Sequence, residues 1–125
     1  MGLLSALLGD ASETDAESLD QEFDAILAPG ETIEKAFRII RDLLVFTDKR
    51  LILVDKQGVT GKRTEYLSIP YRSVSHFVME TAGHFDLDAE LKIWLIGVSQ
   101  PIVRDFKRGQ NAKDVQQALA DFVLR

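Results

Sequence analysis

The chain contains no cysteine, which removes disulfide staples, thiolate metal sites and cysteine nucleophiles together. Histidine is almost as scarce: His76 and His84 are the only 2, and neither stands in a spacing that supplies a nucleophile–base pair or a ligand set. Long apolar runs are missing as well. Arg41, Asp42 and Asp48 interrupt the longest of them, well short of the roughly 18 residues needed to cross a bilayer. The first 32 residues hold no Lys or Arg. The opening Met1–Leu8 run therefore has the apolar character of a secretion core without its basic flank and leads into acids, so a cytoplasmic location is expected.

What is present suits one ordinary globular domain. Hydrophobic residues make up 46% and charged residues 28% of 125 positions, and folding a chain of this length buries roughly two thirds of its surface. The net charge of -5 is unevenly spread. Eight acids (Asp10, Glu13, Asp15, Glu17, Asp20, Glu22, Asp24, Glu31) fall within residues 1–32, leaving 12 of the 20 acids and all 15 bases on residues 33–125, a body charge of +3. An acidic arm complementary to a mildly basic body is one consequence; a solvated helix face is the plainer one.

Within the arm, Thr14 and Glu17 form a capping-box pattern, and Leu19, Phe23, Ile26 and Leu27 follow on one helical stripe that Pro29-Gly30 ends. Leu3, Leu4, Leu7 and Leu8 make a shorter stripe ahead of it. From Ile33 the texture becomes β-branched and aromatic runs broken by turn residues, the mark of an antiparallel β domain. Seven strands are predicted, over residues 33–40, 42–47, 50–56, 64–70, 74–82, 89–96 and 101–107, with turns at Thr47–Lys49 and Gly58–Gly61. After Gly109 the period becomes helical, with Asn111 as expected N-cap and Val115, Leu119, Phe122 and Val123 on one face. The expected division is an acidic helical arm over 1–32 and a mainly β domain over 33–125, its open end plugged by one C-terminal helix.

Four ordered blocks carry a family resemblance: RDLLVFTDKRLILVD (41–55), GVTGK (58–62), SIPY (68–71) and ETAGHFDLDAELKIW (80–94). In these the chain resembles the bacterial pleckstrin-homology-like (PH-like) domain family. The resemblance implies a seven-stranded antiparallel sandwich or partly open barrel capped by one C-terminal helix, a non-enzymatic binding or scaffolding role, and assembly into higher-order homo-oligomers. It names no ligand, because a fold does not fix a function. Eukaryotic relatives that bind phosphoinositides place a basic cluster across the first hairpin. Here Lys35, Arg38 and Arg41 are spaced by three and residues 42–46 carry no base, so that ligand does not carry over.

Other patterns have plainer alternatives. His84, Asp86, Asp88 and Glu90 recur at every second residue and would share one face of a continuous strand, holding a cation or simply facing solvent or a neighbouring subunit. An EF-hand fails because Leu91 stands where Gly is required and Gly97 where Glu is. Gly61-Lys62-Arg63 lacks the first Gly and the Ser or Thr of a phosphate-binding loop, and Ser99 lacks the second Gly of a nucleophile elbow, Pro101 standing there. Trp94 is expected at a core edge. Candidate ligand or partner contacts are Lys49, Arg50, Lys62 and Arg63 at two turns, Tyr66 and Tyr71 flanking Pro70, and Arg104, Lys107 and Arg108 before the last helix. No cofactor and no metal are expected, and a body charge of +3 argues against nucleic acid. The expected partners are further copies of the chain, in a homo-oligomer larger than a dimer, and a protein partner. Weak docking on anionic lipid is the alternative, with an unrecognised enzyme a weaker one.

Overall fold

The computed structural model describes residues 21–39, 42–57, 63–85 and 87–125. Seven strands form two antiparallel sheets in which every paired strand is next to its partner in sequence. The first sheet has the order β1 (Ile33–Ile39), β2 (Asp42–Thr47), β3 (Arg50–Gln57), β4 (Arg63–Pro70). A 3₁₀ turn, Tyr71–Ser73, then leads into the second sheet of β5 (Val74–Thr81), β6 (Ala89–Leu95) and β7 (Ile102–Phe106). Helix α1 (Ala112–Val123) follows. Each strand end lies within one residue of its predicted position. Both sheets are open, so the structure is a sandwich and not a closed barrel.

The period of two explains why β2 and β3 are apolar at successive residues. Leu44 and Phe46 on β2, with Leu51 and Leu53 on β3, face the main core between the sheets. There they join Ile69, Leu91, Ile93, Phe106 and the α1 residues Ala112, Val115, Ala118, Leu119 and Phe122. The alternate residues Leu43, Val45, Ile52 and Val54 face the opposite way into a second apolar cluster with Phe23, Ile33 and Ala36. Ile26, Leu27 and Tyr66 close that cluster over. Phe23 is fully buried there, at 1% exposure, a burial that stabilises by roughly 1.5–3 kcal/mol. Both faces of the first sheet are thus covered by the chain itself, the outer one by residues 23–31 of the acidic arm. Leu19 and the stripe from Leu3 to Leu8 lie outside the described residues.

Two expectations change on a local scale. His84, Asp88 and Glu90 do not share a strand face, because β6 begins only at Ala89. Gly83 takes φ +115°, a left-handed conformation natural to glycine, and residues 82–85 and 87–88 lie in a loop. That loop is closed by Ala82 N–H donating to the Asp88 carbonyl (3.1 Å) and Leu87 N–H to that of His84 (3.1 Å). Asp86 is outside the described residues, and among those described no group of three or more His, Asp or Glu is placed to hold a metal. At the start of α1, Asn111 occupies the N-cap position, but its side chain makes no capping hydrogen bond; its carbonyl accepts from Val115 N–H (2.9 Å) instead.

Candidate functional site

Residues 28–31 form a turn whose chemistry is written in the sequence. Pro29 and Gly30 take the central positions, and Gly30 has φ +80°, the left-handed third residue of a type II turn. Glu31 N–H closes it on the Ala28 carbonyl (3.0 Å). The turn drives the Glu31 side chain down onto the sheet, where it is 1% exposed. Four donors meet the carboxylate: Ala28 N–H (2.9 Å), the Thr47 hydroxyl (2.6 Å), and Arg50 through Nε (2.9 Å) and Nη2 (2.9 Å). Burial alone would raise the Glu31 pKa. The hydrogen bonds from Arg50, Thr47 and Ala28, together with the Arg50 charge, outweigh it and hold the carboxyl at about 2. Arg50 also donates to Ser68 Oγ (2.8 Å) and to the Ile26 carbonyl (2.9 Å). It therefore ties the arm to β3 and β4.

This placement corrects the expectation that Arg50 faces a ligand. A bidentate partner from 19 residues upstream takes up its guanidinium, and what remains is a structural latch. Tyr71 likewise belongs to the interior. Its hydroxyl lies 2.6 Å from the Thr47 carbonyl and 2.8 Å from that of Arg50, and its ring stacks on Phe122 at 5.4 Å. Burial, then the nearby Glu34 charge, push its phenol above the ordinary range, against the partial offset of its backbone hydrogen bond. Tyr66 meets Phe23 edge-on at 6.5 Å and forms part of the arm's seat. Both tyrosines, candidate contacts in the sequence, are engaged within the fold.

The remaining candidate bases do not form one cluster. Lys49 is exposed at the β2–β3 turn, next to Arg50, which pairs with Pro70, whereas Arg63 pairs with Gln57 at the other end of the same hairpin. A strand of that length separates them by roughly 20 Å. Lys62 lies outside the described residues. Arg104 on β7 approaches Asp42 of the other sheet at 4.0 Å. Asp42 has its pKa raised by burial and by the Asp55 charge, and Arg104 offsets part of that rise. Lys107 and Arg108 are exposed in the loop before α1, and their backbone N–H groups are held by Gln110 Oε1 (2.6 Å) and Asp88 Oδ1 (2.9 Å).

A different surface emerges on the outer face of the second sheet. Strand register aligns three rows across it: His76 with Trp94, then Val78 with Lys92 and Val103, then Glu80 with Glu90 and Asp105. The His76 and Trp94 rings stack at 4.6 Å with planes 9° apart, and Ser75 Oγ lies 2.8 Å from His76 Nδ1. Val78 and Val103 are 38% and 39% exposed. Ile96, in the turn that follows β6, is 67% exposed. Trp94 therefore belongs to an open platform and not to a core edge. The alternation of Val78, Glu80, Glu90, Lys92 and Trp94 with core residues was the signal for this face; only the pairing of β5 with β6 and β7 assembles it.

Two open antiparallel sheets that share one core, with the C-terminal helix packed into it, define a pleckstrin-homology-type sandwich. The bacterial PH domain family profile matches residues 2–123, and the chain belongs to that family. It is 54% identical over 121 residues to the uncharacterized protein YjqA of Bacillus subtilis, covering 96% of this chain and 97% of that one. Among solved structures, the pleckstrin homology domain from Shewanella amazonensis superposes with a TM-score of 0.80 at 50% identity, covering 99% of this chain and 100% of the other. A family protein with a pleckstrin-homology domain from Shewanella loihica gives 0.71 at 48% identity, over 86% and 92% of the two chains.

Proposed function

We propose that the chain is a non-enzymatic interaction module that self-associates and presents its second sheet to a protein partner. The observation that supports this is the unsatisfied state of that sheet: among the described residues its edge strands, β5 and β7, have no further strand beside them, and its outer face sets an aromatic and an aliphatic row beside a row of carboxylates with none of the described elements over it. Open edges carry unpaired backbone groups, which natural proteins shield or use for pairing. Head-to-tail pairing that closes on itself gives a ring of more than two subunits. Soluble use in the cytoplasm fits a chain with no helix among the described residues long and apolar enough to cross a membrane. Lipid docking has less support. The basic residues on which it would depend are divided among an internal latch at Arg50, the two ends of one hairpin, and β7 with the loop that follows it.

Light scattering coupled to size exclusion tests the reading, with a mass of three or more chains expected; a monomer at tens of micromolar would sink the self-association. Co-sedimentation with anionic vesicles, expected to show no binding, separates the module from a lipid-docking one.

A further inference from the structure

Resting on the reading of this chain as an interaction module, we infer that the outer face of the second sheet is the docking surface for a basic amphipathic segment of a partner protein.

The first argument is electrostatic. Glu80, Glu90 and Asp105 stand directly opposite one another on three adjacent strands, and like charges so placed destabilise a sheet. Lys92 reaches Glu90 at 3.5 Å and Glu80 at 3.8 Å, one ammonium between two carboxylates, and sits one row away from the Glu80–Glu90–Asp105 line. A cleft of ≈ 380 Å³ opens at the same row, with Asp88 as a fourth carboxylate and Lys107 as its basic residue. Its size accommodates a Lys or Arg side chain.

The second argument is the layout. Beside the carboxylate row lies the aliphatic row of Val78 and Val103, and beside that the His76–Trp94 stack. An occupant that matches all three rows presents cations on one side and apolar side chains on the other. The chain already shows this mode of cover on its first sheet, with the signs reversed. There an apolar turn of Phe23, Ile26 and Leu27 lies on aliphatic residues and is fixed by an acid, Glu31, on a base, Arg50.

Sign also decides among occupants. The arm of this chain, in cis or exchanged between copies, carries eight acids and no base over residues 1–32, and the carboxylate row repels it. Anionic lipid is repelled for the same reason. A basic segment gains from the charges and covers the apolar rows.

The test uses the full chain, with Trp94, the 1 tryptophan of the sequence, as reporter. Its probes are a synthetic amphipathic peptide of leucine and lysine and a second of leucine and glutamate with identical apolar spacing. The leucine–lysine peptide is expected to shift Trp94 emission saturably to shorter wavelength, and the leucine–glutamate peptide to leave it unchanged. Glu90→Lys is expected to weaken the leucine–lysine peptide by about threefold to tenfold. Glu90 is flanked by like charges on both sides, so this variant is expected to melt no lower than the parent, which separates lost binding from lost folding. An equal response to both peptides, or an undiminished response in Glu90→Lys, overturns the proposal. So does dissociation of the protein's own assembly by Val78→Asp, which would make this face an interface between copies. Should the assembly form while neither peptide binds, the docking surface falls and the self-associating module stands. Should the peptide bind a monomer, the reverse holds.

Discussion

Replacing Glu31 by Gln removes one negative charge and keeps the shape of the side chain, so it isolates the electrostatic part of the latch. The carboxyl titrates at about 2 in the folded chain against an ordinary value of 4.5, a difference worth about 3 kcal/mol at 1.36 kcal/mol per unit. Breaking a buried pair from one side costs about 3–5 kcal/mol in general, so the two routes to the magnitude agree. Because the folded value lies below the unfolded one, the unfolded chain binds the extra proton as the solution is acidified. The stabilisation is complete above pH 4.5 and is lost as pH falls through about 2. Urea melts should therefore place Glu31→Gln about 2–4 kcal/mol below the parent at neutral pH, with the gap closing steadily between pH 4.5 and about 2. Arg50→Met should lose about 3–5 kcal/mol, because it leaves the carboxylate buried with only the Thr47 and Ala28 donors. Its deficit too should shrink in acid, where Glu31 takes up a proton. A neutral-pH gap below about 0.5 kcal/mol, or one that does not change on acidification, would refute the latch.

Two further outcomes follow from the packing. Leu119, fully buried at the centre of α1, should lose about 2–5 kcal/mol on change to Ala, measured by denaturant melts; a loss under about 0.5 kcal/mol would mean that α1 does not seal the main core. Tyr71→Phe strips the donor from two carbonyls and should cost about 1–2 kcal/mol, while Phe at this position keeps the stack on Phe122; a neutral change in the melting curve would show that water replaces the hydroxyl.

The strands were legible because burial on a pleated sheet imposes a period of two, and because Gly and Pro mark the turns. Residues Leu43–Phe46, apolar at successive positions, even signal that both their faces need cover. What they could not signal was the source of that cover, because a neighbouring subunit and the chain's own residues 23–31 leave the same apolar pattern. The role of Arg50 is hidden for a related reason. Beside a turn, next to Lys49, it has the local look of an exposed base, and the carboxylate that claims it is 19 residues away in sequence. The His84–Glu90 alternation was a true pattern in a segment whose backbone does not stay extended, since Gly83 at φ +115° turns the chain first. The rows on the second sheet needed register, which sets Glu80 beside Glu90 and Asp105, and register between strands is a property of pairing and not of either strand alone.

The strictly sequential strand order has a kinetic consequence. With every pair joined to its neighbour in the chain, each sheet can zip as a meander from short loops, and the entropy of closing long loops is postponed to a single late event. That event is the arrival of α1, whose Ala112, Val115, Ala118, Leu119 and Phe122 complete a core laid down by strands made before it. Until the helix docks, Leu44, Phe46, Leu91 and Phe106 lie at an open mouth between two half-formed layers. A chain stopped before the helix docks would expose that apolar mouth, the kind of surface through which partly folded chains aggregate.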